Sequence, residues 1–231
     1  IGGGGLATGV STLAKLLNPK IKVIAVEPTG AACLKASLEA GEVTTVSKIN
    51  TIADGTAVQT PGDKLFPYLQ ANVDQVITVD DSELTLSFLD MAENHKMIVE
   101  NSGLLTVAAL KHLDFKGKKV VSVLSGGNMD VLTMATVVQN GLMQRDRIFT
   151  VSVMLPDKPG QLAAVSALIA KEQGNVIKLE HNVFANVNRA AGVELTITLE
   201  SFGTEHKDQI IKALETAGYC PVISKTSGIY M

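Results

Sequence analysis

The chain has 231 residues, 46% of them hydrophobic, so it can bury one large core or two smaller ones. Its formal net charge is −3, with no basic block and no acidic run, which argues against a nucleic-acid partner and a disordered tail. No apolar run reaches the length of a bilayer span, no basic-then-apolar leader opens the chain, and Cys33 and Cys220 form neither a disulfide framework nor a zinc pattern; the expectation is a cytoplasmic protein without membrane contact.

The first stretch is IGGGGL, Ile1–Leu6. A helix is predicted from about Leu6 to Leu17, carrying Val10, Leu13, Leu16 and Leu17. Ile1 reads as the last residue of a strand, so the chain is expected to be a piece of a longer protein. A strand, a glycine loop and a helix start together make a phosphate site. Glycines allow close backbone approach, and the helix N-terminus offers free N–H groups and the positive end of its dipole. A tight turn is the plainer alternative, although one or two glycines would suffice for it. The spacing is not GxGxxG and no Lys-Ser/Thr follows, which disfavours a dinucleotide dehydrogenase and a P-loop.

Next come three unbroken β-rich runs: KVIAV (Lys22–Val26), QVITV (Gln75–Val79) and KVVSVL (Lys119–Leu124). Such runs read as strands of a parallel sheet buried on both faces. A helix is predicted over Asp80–Lys96, where Asp80 and Glu83 have capping-box spacing; the acidic DDSE cluster reads as a cap rather than a metal site. Strands alternating with helices mean an α/β layer fold. Three further motifs stand between or after these elements: TIADG (Thr51–Gly55), VENSG (Val99–Gly103) and LSGGN (Leu124–Asn128). Ligands of open α/β sheets sit beyond the carboxyl ends of strands, so Ser125 is expected to face a crevice. Taken singly, Asp54 is an ordinary turn residue and Glu100 an ordinary helix-entry residue.

After MQRDRIF the pattern changes. Phe149, Val151, Val153 and Leu155 alternate with polar residues, as do Val193, Leu195, Ile197 and Leu199, with Glu194, Thr196, Thr198 and Glu200 on the outer face. This is an antiparallel sheet with one wet side. A helix with Leu162, Val165, Leu168 and Ile169, another with Ile210, Ile211 and Leu214, and a last strand near Cys220–Ser224 complete a βαββαβ order. The expected domains are residues 1–147 and 148–231.

In this order, IGGGGL, VIAVEPTGA (Val23–Ala31), TIADG, VENSG and VVSVLSGGN resemble the later half of the threonine dehydratases, pyridoxal-phosphate enzymes of fold type II. The remainder is similar to the ACT-type regulatory domain that some of them carry. The resemblance implies a partial three-layer parallel-sheet α/β domain followed by a ferredoxin-like ACT domain. It implies pyridoxal 5'-phosphate as cofactor, with Gly2, Gly3, Gly4 and Gly5 cradling the phosphate. Ser125 would bond the pyridine nitrogen, Gly55 would lie close to the cofactor edge, and Glu100 would lie near the ring.

The activity implied is threonine ammonia-lyase, acting on L-threonine or L-serine within isoleucine biosynthesis, in a homo-oligomer. The family's Schiff-base lysine belongs to an SFK-like motif that does not occur in this sequence, and Lys15, Lys35 and Lys64 read as solvated. No catalytic residue is therefore expected here, and the chain alone should be inactive. A non-catalytic amino-acid-sensing module is the alternative. Some relatives bind a divalent cation through the glutamate of EP, a nearby backbone oxygen and an acid two positions further. Glu27 and Ala31 match, but Cys33 replaces the acid, so no divalent metal is expected, a monovalent ion being the alternative. In LPDKPGQL (Leu155–Leu162), the turn with Asp157, Pro159, Gly160 and Gln161 would offer N–H groups to the carboxylate of a small amino-acid effector, a plain strand-to-helix turn being the alternative. His181, in LEHNVFAN (Leu179–Asn186), is given no role.

Overall fold

A computed structural model describes residues 1–182 and 192–224, so the last four residues of LEHNVFAN lie outside the described residues. The chain divides into two compact units, Ile1–Val137 and Val138–Met231.

The first unit starts with α1 (Gly5–Leu17), as its glycine entry and periodicity predict. Then come β1 (Ile24–Pro28), α2 (Cys33–Ala40), α3 (Phe66–Asn72), β2 (Gln75–Val79), α4 (Asp81–Asp90) and the short α5 (Leu105–Ala108). β1 and β2 pair in parallel, Ile24 opposite Gln75 and Pro28 opposite Val79. Behind them Ala25, Leu34, Phe66 and Leu69 form an apolar cluster. The Asn72 amide donates to the Thr12 hydroxyl at 3.1 Å and ties α3 to α1.

One expectation for the parallel sheet needs correction. The run KVVSVL does not join the parallel sheet: no strand is formed over 119–124, and Val121 is 88% exposed. β-branched residues favour extended backbone, but a strand also needs a ladder partner, and among the described residues this run has only side-chain ties to Thr106. The large apolar side chains of α1 lie largely in solvent. Leu6, Leu13, Leu16 and Leu17 are each more than half exposed, while Ser11 is buried and Ala7 packs on the apolar cluster.

The cap of α4 is as expected. The Asp80 side chain accepts the backbone N–H of Glu83, and the Glu83 carboxylate accepts the Asp80 N–H at 2.9 Å. The helix is shorter than predicted, because a π-turn over Met91–His95 follows and Lys96 adopts a left-handed conformation with φ 57°.

Helix α6 (Val131–Gln144) runs across the division between the units. The second unit continues with β3 (Ile148–Leu155), α7 (Gln161–Lys171), β4 (Asn175–Asn182), β5 (Val193–Glu200), α8 (Thr204–Thr216) and β6 (Val222–Ser224). The four strands form one antiparallel sheet in the order β4-β5-β3-β6. The alternation holds on the inner face: Phe149, Val151, Val153, Leu155, Leu195, Ile197 and Leu199 share a buried core with Val165, Ile169, Ile210 and Leu214. The outer face is only partly wet. Thr198 is buried, because the register sets it opposite Thr150 and the two hydroxyls bond at 3.0 Å.

Replacing Asp80 with alanine removes one half of the capping box. The expected loss is about 1 kcal/mol of stability, read as a lower denaturant midpoint in urea. An unchanged midpoint would mean that Glu83 alone suffices.

Candidate functional site

Seven residues singled out in the sequence line a single cavity of about 330 Å³: Gly2, Gly3, Gly4, Gly5, Gly55, Glu100 and Ser125. One wall is the start of α1. Gly4 takes φ 93° as the helix N-cap, a conformation that only glycine adopts without strain, and no side chain caps the helix. The N–H groups of Gly5, Leu6 and Ala7 precede the first intrahelical bond, Thr8 N–H to Gly4 O at 2.9 Å, and the first turn carries no acid. A Cβ added at Gly3 or Gly5 would meet no atom within 4 Å, so the backbone there faces open space. An unopposed helix N-terminus beside bare backbone suits an anion.

The opposite wall is made of three loops packed on one another. Gly55 lies so near Ser102 that an added Cβ would stand 2.9 Å from the Ser102 hydroxyl. The N–H of Asn128 donates to Glu100 Oε2 at 3.0 Å, and the N–H of Glu100 points to Gly126 O at 3.4 Å. The loop of TIADG is fixed from α4: the Thr51 hydroxyl donates to Asp81 at 2.6 Å and the Ile52 N–H at 3.0 Å. The Asn101 amide donates to Ile52 O at 3.0 Å, while its own Oδ1 is buried without a partner.

Sequence reasoning missed Thr56, Ser102 and Thr106 as lining residues. Ser102 stands inside a motif already singled out. Asp81 was read only as part of a cap, and nothing local in DDSE shows that it holds a loop thirty positions earlier.

Glu27 is fully buried. Its two carboxylate oxygens accept the N–H groups of Leu34 at 2.7 Å and Lys35 at 2.9 Å, at the start of α2. Burial pushes its carboxyl above the ordinary 4.5, against the opposing pull of those two N–H groups. Burial, with Glu27 beside it, raises the Cys33 thiol to about 11, which makes it a poor nucleophile. Ala31 is buried one turn earlier, and no group of three acidic, histidine or cysteine side chains that could hold a metal occurs among the described residues.

In the second unit, Asp157, Pro159 and Gly160 are exposed on one turn and Gln161 is half-buried. Gly160, at φ 90°, is the N-cap of α7, again without a side-chain cap.

The family model for pyridoxal-phosphate dependent enzymes matches residues 1–126. The chain belongs to that family. The L-threonine ammonia-lyase of Geobacter sulfurreducens is 36% identical over 222 residues, which is 95% of this chain and 55% of that protein. The L-threonine ammonia-lyase of Thermotoga maritima is 35% identical over 220 residues, again 95% of this chain and 55% of that protein. The chain spans about half the length of these curated relatives. Among solved structures, the processed form of threonine deaminase isoform 2 from Solanum lycopersicum is 32% identical, with a TM-score of 0.56 over 61% of this chain and 42% of that one. Maize serine racemase is 38% identical, with a TM-score of 0.55 over 59% of this chain and 45% of that one.

Glu27 generates a pH prediction. Its folded-state pKa is raised, so between 4.5 and that value the folded chain holds more protons than the unfolded one. Stability should therefore fall as pH rises through this window. Urea midpoints measured from about pH 4 to about pH 7 should show this fall in the native chain and a flatter profile in Glu27→Gln. Parallel profiles would mean that Glu27 keeps an ordinary pKa.

Proposed function

We propose that the chain is part of a pyridoxal 5'-phosphate-dependent threonine ammonia-lyase of fold type II, which converts L-threonine to 2-oxobutanoate and ammonia. The observation that carries this reading is the cavity, where seven residues drawn from four separate motifs face one space. The bare backbone at Gly3 and Gly5, beside the uncapped start of α1, fits a phosphate. The cofactor supplies an electron sink for bond breaking at the substrate's α and β carbons.

The chain's own residues bind and orient. Backbone N–H groups from Gly2 to Gly5 would hold the phosphate against the dipole of α1. The Ser125 hydroxyl, which lines the cavity, would hydrogen-bond the pyridine nitrogen. A neutral hydroxyl, unlike a carboxylate, would leave that nitrogen largely unprotonated. Val10, Leu105 and Val123 give the cavity an apolar wall that limits water. No lysine is among the described residues that line it, which supports the reading that the covalent anchor and general base are not supplied by this chain.

The second unit is read as an ACT-type domain, on its βαββαβ order and antiparallel sheet. The turn at Asp157–Gln161 then takes the carboxylate of a small amino-acid effector, in a cytoplasmic homo-oligomer. L-Serine is the second substrate to test, because a serine racemase is among the similar structures.

Fluorescence titration with pyridoxal 5'-phosphate tests the site. The native chain should bind, and Ser125→Ala should bind about fivefold more weakly, the value of one hydrogen bond. Alanine at Gly3 and Gly5 should weaken binding further by filling the cradle. Native affinity in all variants would leave the glycine run as a turn.

Incubation of the chain with cofactor and L-threonine should yield no 2-oxobutanoate, and steady turnover would overturn the assignment of the missing anchor. Calorimetry with isoleucine, valine, threonine and serine on the chain and on Gly160→Asp tests the effector turn: binding lost in the variant supports it, and equal heats in both place the effector elsewhere.

A further inference from the structure

Glu100 grips the Ser125–Asn128 turn in two ways at once. Its Oε2 accepts the Asn128 N–H at 3.0 Å, and its main-chain N–H points to Gly126 O at 3.4 Å. The two contacts close a ring around Gly126 and Gly127. A Cβ on Gly126 would stand 2.1 Å from Glu100 Oε1, so the carboxylate occupies the space that a side chain there would need. The segment after Glu100 bends back by a turn, with the Gly103 N–H donating to Glu100 O at 2.9 Å. This brings Gly103 beneath Ser125, where an added Cβ would stand 2.2 Å from the Ser125 carbonyl oxygen. Ser125 is thus the first residue of a turn fixed from below by Gly103 and from the side by the Glu100 carboxylate.

We propose that Glu100 is a positioning residue that sets the Ser125 hydroxyl by holding the Asn128 N–H. This rests on the reading that Ser125 meets the cofactor ring. The part of Glu100 that matters is an acceptor oxygen at the end of a side chain of this length. Its charge is secondary, so glutamine can replace it and alanine cannot. Glu100 and Ser125 then act as one unit, and the effects of removing them are not additive.

The experiment uses the whole chain, with two readouts: amide hydrogen exchange at Asn128, followed by NMR, and affinity for pyridoxal 5'-phosphate. In E100A, Asn128 exchange should speed up about tenfold or more and cofactor affinity should fall at least as far as in S125A. In E100Q both should stay within about threefold of the native chain. The double variant E100A/S125A should bind the cofactor no more weakly than E100A. Asn128→Pro deletes the donor in an exposed turn and leaves Glu100 in place. It should reproduce the loss of affinity, and it replaces the alanine variant if that one does not fold. Native exchange at Asn128 in E100A, an E100Q as weak as E100A, or additive losses in the double variant would each overturn the proposal. If the native chain takes up no cofactor, the function proposed above falls, and exchange at Asn128 in E100A and E100Q alone decides the role of Glu100.

Discussion

At Gly103 and Gly126 the backbone comes nearer to its neighbours than any side chain would allow, 2.2 Å from the Ser125 oxygen and 2.1 Å from the Glu100 carboxylate as measured from an added Cβ. Everything that faces the cavity from that side depends on these approaches. Without them the Ser125 turn could not lie on the VENSG segment, and Glu100 could not reach the Asn128 N–H. Glycine is weak where a helix or strand is wanted, because it gives up more chain entropy on ordering. Here the loss is offset by packing three loops into a space where side chains would hold them apart.

Three carboxylates do related work by the same chemistry. Asp81, Glu27 and Glu100 each accept backbone N–H groups, and each fixes a segment distant in sequence or the start of a helix. In each, the working part is an acceptor oxygen on a side chain long enough to reach the N–H group. What differs is the surroundings. Glu27 is fully enclosed and its ionised form is disfavoured, whereas Glu100 is half-buried at the edge of the cavity. The acid best placed to carry a metal by sequence match is thus committed to the start of α2.

The motifs stood out in the sequence as glycine-rich stretches, but only the first opens a helix as expected; TIADG, VENSG and LSGGN lie in loops that follow no described strand. The inner face of the antiparallel sheet was legible because a period of two leaves little choice of register. What local pattern could not show was pairing. KVVSVL has the composition of a buried strand, but a strand is defined by a neighbour, and that is a property of the fold rather than of six residues. Thr198 was placed in water because it is polar, and the register gave it Thr150 instead. The helix α1 was legible from its spacing, which tells which residues share a face and not whether that face is covered.

The uncovered face of α1 has a consequence for how this helix comes apart. Its large side chains, Leu16 and Leu17 above all, are in water already. Melting the helix would expose little new apolar surface, so its opening should carry a small heat-capacity change and a shallow response to denaturant. What anchors it is concentrated at its ends and on one narrow side: the glycine entry, the Asn72–Thr12 bond, and the Lys15–Asp74 ion pair at 2.7 Å. Such a helix opens on its own, below the free energy of global unfolding. A phosphate seated at its first turn would then act as a fastener, and the slowest amide exchange in α1 would report ligand occupancy rather than the strength of the core.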